Sequence, residues 1–425
     1  MTINQQAKVL MIAYSFPPSG GGGVQRPAKF AKYLPLHGWQ PVVLTTTSGI
    51  NRLKDEQLFN EIKHVKIVHI PSLFKINKTS NLILKFTNFM FRIVQNLIVS
   101  NWDWIIPGVL AAQKIIKEEK IDLIWATGNP FGSFFIAWIL KIHTKIPIVI
   151  DYRDSWSFSE YDWSSSPIQK YFSRLWEKRI LKSADHIVVV KPKMIPELQT
   201  LCPSVKNKIS LITNGYDEED FSFVITPIHD PIHYTITYTG VMWEQAGHHS
   251  PISLFKAIKI LRNDPAIKKK IILQIIGDVD LKYKQLPATL GINDNVIFTG
   301  YLPHHEVNQY QIKSDALVLL IENKLGYTQS KKYSGIIPGK IFEYFASGVP
   351  ILAIVPTPGF ESETILITQT GLIATPNDPD DIAKKLKDLL LKKFSYKPDV
   401  ELIEKYTRKN LTQNLSAIFN RIIQG

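Results

Sequence analysis

The chain predicts an α/β protein made of two Rossmann-like halves in tandem. Its length of 425 residues is more than one domain usually holds. Strand-length apolar runs alternate with helical periodicity from Val9 to Val190, and again from Thr235 towards the C-terminus. A proline-punctuated segment, Pro227 to Pro231, separates the two alternations and reads as a linker.

Val9 to Ala13 is the first strand. After Tyr14-Ser15-Phe16-Pro17-Pro18-Ser19 come four glycines, Gly20 to Gly23, and then a helix carrying Arg26, Lys29 and Lys32. Strand, glycine loop and helix open a Rossmann-like unit. The spacing is not GxGxxG, so no dinucleotide fingerprint is present. Glycine permits positive φ and close backbone approach to a ligand. Gly21, Gly22, Gly23 and Arg26 are therefore candidates for a phosphate or acceptor loop, with a plain flexible turn as the alternative.

Trp39 to Thr45 and Val65 to Ile70 are the next strands. From Lys63 to Trp102 the chain has six basic residues and no acidic one, among them Lys75, Lys78, Lys85 and Arg92. Phe86, Phe89 and Phe91 lie within that stretch, and Trp102 and Trp104 end it. A basic amphipathic helix ending in tryptophans reads as an interfacial membrane anchor. A core helix with snorkelling lysines is an equal alternative. Pro107 to Glu118 is a helix, Ile121 to Ala126 a strand, Phe134 to Ile142 a helix and Ile146 to Ile150 a strand. Asp151, Arg153 and Asp154 follow at once. They stand at the carboxyl end of a buried strand, where open α/β sheets place ligand chemistry. A surface Asp–Arg pair is the plainer reading. Tyr171 to Lys182 is helical, and His186 to Val190 and Ile209 to Ile212 are strands.

The second half repeats the logic. Strands at Thr235 to Tyr238, Ile271 to Ile276 and Val296 to Thr299 end at Gly240, Gly277-Asp278 and Gly300. Ala316 to Ile321 is a further strand. Ser334 to Val355 then reads as a short helix, a tight turn and a strand, with Pro338 at the helix start and Gly348-Pro350 at its end. Ile341, Phe342, Phe345 and Ala346 share one helix side, and Lys340, Glu343, Tyr344 and Ser347 the other. Lys340 in the first turn opposes the helix dipole unless an anion binds there. Beside it, Glu343 can accept hydrogen bonds from a sugar diol, and a phosphate site next to a diol site describes a nucleotide. Taken alone, a solvated Lys–Glu pair at i, i+3 is the commoner reading. Leu411, Leu415, Ile418, Phe419 and Ile422 mark a last amphipathic helix.

Composition narrows the function. A net charge of +13 points to an anionic partner: a phosphorylated small molecule, an anionic membrane surface or nucleic acid. No zinc finger, RNP-like motif or lysine-rich tail supports nucleic acid. A single cysteine, Cys202, excludes a disulfide framework and a Cys-based zinc site and suits a reducing cytoplasm. The polar Met1 to Lys8 gives no expectation of a secretory leader, and no uncharged run reaches transmembrane length.

The stretches YSFPPSGGGGVQRPAKFAKYLPLHGWQPVVLT, DYRDSW, ITNGYDEEDF, YTG, IIGD, FTGYLPHHEV and IPGKIFEYFASGVPILA, in that order, resemble bacterial glycosyltransferases of family 4. The resemblance implies the GT-B fold. Two Rossmann-like domains would face a central cleft, and the C-terminal helix would cross back to the first domain. The implied division is an acceptor-binding domain over 1–220, a nucleotide-sugar-binding domain over 221–400 and the returning helix over 401–425. It also implies retaining transfer of a hexosyl group from a nucleotide sugar. Carried over, Glu343 is the ribose-binding glutamate. Lys340 with Gly339 holds the diphosphate, and Gly240, Gly277 and Asp278 border the donor. Gly21 to Gly23 approach the donor phosphates or the acceptor. Arg153 adds charge, and Asp151 or Asp154 orients or deprotonates the acceptor hydroxyl.

This sequence departs from the family at Gly335, where members often have a glutamate contacting the donor sugar. It also lacks the family's Arg and Lys after the first strand of the second domain, where Val241-Met242-Trp243-Glu244-Gln245 stands. Asp278-Val279-Asp280 resembles a DxD metal site, but the tandem layout argues against it. No metal or other cofactor is expected beyond the nucleotide sugar as co-substrate. The expected activity is sugar transfer to a saccharide or polyprenyl-linked acceptor in cell-surface polysaccharide synthesis. The expected place is the cytoplasm, at the inner face of the plasma membrane. A nucleotide-sugar epimerase of the same fold, or a non-catalytic binding protein, are the alternatives.

Overall fold

Both alternations fold into parallel sheets covered on each face. The computed structural model describes residues 6–47, 54–71, 94, 97–99, 101–158, 167–222, 230–243, 250–321 and 339–424. They form two units, Met1–Asn214 with Arg408–Gly425, and Gly215–Thr407.

The first unit holds strands β1 (Ala7–Ile12), β2 (Trp39–Thr46), β3 (Lys66–Ile70), β4 (Leu123–Gly128), β5 (Ile148–Tyr152), β6 (His186–Val189) and β7 (Ile209–Leu211). Their order across the sheet is β3-β2-β1-β4-β5-β6-β7, all parallel. Alternate residues of a strand face opposite ways. Leu10 and Ile12 accordingly enter one apolar cluster, and Val9 and Met11 the other. A sheet buried on both faces needs such unbroken apolar strands. Helices Ile105–Glu119 and Gly132–Thr144 contribute Ala112, Phe134, Ile136 and Ala137 to the first cluster. Helices Gly22–Tyr33 and Arg408–Gln424 contribute Phe30, Leu411, Leu415, Ile418 and Phe419 to the second. Trp39 anchors the terminal helix: its ring lies 5.2 Å from that of Phe419, and its indole N–H donates to Asn420 at 2.8 Å.

The second unit holds β8 (His233–Thr239), β9 (Lys270–Ile276), β10 (Val296–Gly300), β11 (Ala316–Leu320), β12 (Ile351–Ile354) and β13 (Gly371–Ala374), in the order β10-β9-β8-β11-β12-β13. These pairs are also parallel. Helices Ile252–Arg262 and Pro379–Leu390 pack on one face through Leu254, Phe255, Ile258, Ile382 and Leu386. Asp378 caps the second of these, accepting from the N–H groups of Asp380 and Asp381. Helix Lys340–Ala346 packs on the other face with Phe342 and Phe345.

The domain bounds and the tryptophan anchor differ from expectation. The chain leaves the first unit after Asn214 and returns at Arg408, rather than at 220 and 401. The Tyr216 N–H donates to the Tyr406 carbonyl, and Tyr216 bridges Thr407, so both crossings are laced into the second unit. Trp104 is no headgroup anchor, because it is fully buried with its ring 5.3 Å from Tyr14, edge to face. Trp102 is partly buried against the same core. Lys75, Lys78, Lys85, Arg92, Phe86, Phe89 and Phe91 lie outside the described residues.

Candidate active site

In open parallel sheets, ligands bind beyond the carboxyl ends of the strands, where the strand order reverses. In the second unit that point lies between β8 and β11. Gly240 follows β8 with φ +126°, and Gly277 follows β9 with φ +136°. Both conformations favour glycine. The two loops touch: the Gly240 N–H donates to the Ile276 carbonyl at 2.8 Å, and a Cβ on Gly277 would lie 2.2 Å from the Gly240 oxygen. No side chain fits there, so this edge is bare backbone.

Lys340 closes on it from helix Lys340–Ala346. Its ammonium lies 4.0 Å from the Tyr238 ring centroid, over the face, and a Cβ on Gly240 would lie 2.7 Å from it. A cation over an aromatic face is attracted by the ring quadrupole. Burial nevertheless pulls the Lys340 pKa down to about 7, partly opposed by the Glu343 carboxylate. The protein therefore holds a readily neutralised cation here, which an anionic ligand would recharge.

Glu343 stands one turn on, a quarter exposed, with Oε1 3.0 Å from Nε2 of His304. His304 opens helix His304–Lys313, after β10. Tyr344 corrects the two-sided helix expected from the sequence. It is fully buried, and its hydroxyl lies within 3.1–3.2 Å of the Thr239 N–H, the Thr239 hydroxyl and the Val318 carbonyl. It fastens the helix to the residue before Gly240, which sets where Lys340 and Glu343 stand. Ser347 is buried as well. Asp278 accepts from the Trp243 indole N–H at 3.0 Å. Gly339 is exposed, just before Lys340, and Gly335 lies outside the described residues.

In the first unit the expected residues separate. Asp151 is fully buried and accepts from Arg26 Nε at 3.1 and 3.2 Å, from Arg26 Nη2 at 2.7 Å and from the Thr127 hydroxyl at 2.7 Å. Arg26 is equally buried. It donates to the Thr213 and Ile212 carbonyls at 2.7 and 3.0 Å, and its guanidinium lies 4.7 Å from the Phe30 centroid. Buried charges persist when paired and hydrogen-bonded on every side. Neither is presented to a ligand: Arg26 and Asp151 pin the first helix to β5 and to the end of β7. Lys29 and Lys32 both bind Glu61 at 2.8 Å.

Arg153 is likewise committed to backbone. Its guanidinium donates to the carbonyls of Gly23, Asn129 and Gly128. Pro27 explains one of these bonds. It lacks an N–H, so the Gly23 carbonyl four residues earlier has no helical donor, and Arg153 supplies one. Gly21, Gly22 and Gly23 are exposed, with Gly21 at φ +104°. Asp154 alone of the three charged candidates keeps its carboxylate near solvent, about half exposed and 3.9 Å from Lys191.

Periodicity had no means of pairing His304 with Glu343, or Tyr238 with Lys340. Those partners lie 39 and 102 positions apart, and only the sheet order brings them together.

The model of glycosyl transferases group 1 matches residues 233–410, and that of Glycosyltransferase Family 4 matches residues 20–220. No curated protein matches the chain. Among solved structures, a sucrose-phosphate synthase from Thermosynechococcus elongatus superposes with a TM-score of 0.65 at 15% identity, covering 98% of this chain and 99% of the other. A lipopolysaccharide outer core galactosyltransferase gives 0.60 at 16%, covering 97% and 99%. A putative UDP-N-acetylglucosamine 2-epimerase from Listeria monocytogenes gives 0.57 at 14%, covering 99% and 98%. At these identities the likeness is one of fold, and the fold is GT-B.

Proposed function

We propose, from the premise that the chain belongs to the glycosyltransferases of family 4, that it moves a hexosyl group with retention from a nucleotide sugar to a saccharide or lipid-linked acceptor. The observation that carries this is the meeting of Lys340, Glu343 and the bare Gly240–Gly277 edge in one unit. Glu343 takes the ribose hydroxyls, with His304 holding its carboxylate in place. Lys340 and the glycine backbone take the diphosphate. As the glycosidic bond breaks, negative charge grows on the leaving diphosphate, and a preplaced cation in a partly dry site stabilises it. In the first unit, Asp154 is the carboxylate left to orient an acceptor hydroxyl. No metal enters this scheme.

The acceptor and the place of action rest on charge. Helix Pro167–Ser183 turns Lys170, Arg174, Lys178, Arg179 and Lys182 to solvent, while its only acidic residue, Glu177, is buried. Ile168 and Tyr171 are exposed at its start. A basic face with apolar groups suits the anionic inner surface of a bacterial plasma membrane and a polyprenyl-linked acceptor of surface polysaccharide synthesis. Among the described residues no helix is long and apolar enough to cross a membrane.

The test is a transfer assay with pure protein, a panel of nucleotide hexoses and lipid-linked or free saccharide acceptors. Acceptor-dependent release of nucleoside diphosphate with formation of a glycosidic bond is expected. Sugar-nucleotide isomerisation without an acceptor would point to the epimerases that share the fold. Binding without turnover would point to a non-catalytic protein.

A further inference from the structure

Trp243 is 44% exposed, on the lip of the bare edge formed by Gly240 and Gly277. A lone exposed aromatic residue needs no explanation, but this one is held. Its indole N–H donates to Asp278 Oδ2 at 3.0 Å, and Asp278 follows Gly277. Beneath it, the Met242 N–H donates to the Asp278 carbonyl at 2.9 Å, and the Asp280 N–H to the Met242 carbonyl at 3.1 Å. Met242 and Val279 form a parallel bridge, and both side chains are buried in the core. The loops after β8 and β9 are thus laced together, and the indole stands on them with its polar edge already satisfied. What remains to meet a ligand is an apolar ring face. It stands three residues after Gly240, where a Cβ would lie 2.7 Å from the Lys340 ammonium.

We propose that Trp243 is the platform on which the donor's hexose ring stacks. The inference rests on the donor-binding reading above and adds the sugar contact to it. A pyranose presents a face of C–H groups as well as its hydroxyls. Stacking that face on an indole buries apolar surface on both partners and leaves the hydroxyls at the ring's rim. A diphosphate at Lys340 and Gly240 places the attached sugar within a few ångströms of the phosphates, where Trp243 is the exposed ring fixed to the same pair of loops. This contact lies where the family's basic residues after the first strand of the second domain are replaced by Val241-Met242-Trp243.

Calorimetry on the full chain separates the sugar contact from the nucleotide contact. UDP-, GDP- and dTDP-hexoses are each titrated beside the bare diphosphate. Trp243→Ala is expected to weaken the accepted nucleotide hexose about five- to tenfold and to leave its bare diphosphate within about twofold. Trp243→Phe keeps a ring without the N–H and should recover most of the loss. Unchanged hexose affinity in Trp243→Ala would overturn the proposal. Equal weakening of hexose and bare diphosphate would also overturn it and assign the ring to the nucleotide. A wild-type chain that bound neither would overturn the donor-site reading itself, and the sugar platform with it.

Discussion

At the scale of single residues, charge and burial decide which candidates face a ligand. Asp151 and Arg26 were legible as charged residues beside a strand end and a glycine loop. That they neutralise each other was not legible, because they lie 125 positions apart. Asp151→Ala would leave the Arg26 guanidinium buried without its partner. Equilibrium unfolding in denaturant should show a loss of about 3–5 kcal/mol. A variant of unchanged stability that has lost transfer would restore Asp151 to catalysis. Lys340 behaves differently. With its pKa near 7 in the free protein, it is largely neutral above that pH, and a bound diphosphate raises the pKa by favouring the charged form. Between pH 8 and 9, binding should therefore take up a proton, and diphosphate affinity should fall as pH rises. Calorimetry in two buffers of different ionisation enthalpy measures the uptake, and Lys340→Arg, always charged, should abolish it.

At the scale of elements, apolar runs reveal the strands because both faces of each sheet are covered. The sequence presents the short helix Lys340–Ala346 as half polar, since period alone cannot show that Tyr344 turns inward to the Thr239 backbone. Helix Pro167–Ser183 holds a similar surprise in Glu177. Burial raises its pKa to about 7, opposed by hydrogen bonds from the Ser157 hydroxyl and N–H. An acid whose folded pKa lies above its unfolded value binds more protons when folded, between about 4.5 and 7. Its contribution is therefore full at low pH and is lost as pH rises through that window. Glu177→Gln, which cannot ionise, should melt a few degrees higher than wild type at pH 8, with the difference shrinking towards pH 5. Equal melting temperatures at both pH values would show that the carboxylate is already neutral or well solvated.

At the scale of the whole molecule, two parallel sheets with a helix returning from the end of the chain were legible as two alternations and a final amphipathic segment. The crossings fall six or seven residues from the expected 220 and 401, because the Tyr216–Thr407 bridge is a tertiary contact. The basic balance of the chain was legible too, whereas its display on the outer face of helix Pro167–Ser183 needed the packing. Flotation with anionic vesicles should carry the protein at low salt and release it as salt rises. Glutamine at Lys170, Arg174, Lys178, Arg179 and Lys182 should weaken the association without changing nucleotide affinity. Wild-type protein that ignores anionic vesicles at low salt would favour a soluble saccharide acceptor. Titration of nucleoside diphosphates into wild type and Glu343→Gln measures whether the second unit binds a nucleotide through Glu343 and Lys340. Wild type should bind, and binding should weaken by about 1–3 kcal/mol in the variant, the worth of a charge-assisted hydrogen bond. A folded Glu343→Gln protein that bound the diphosphate as tightly as wild type would contradict that binding mode.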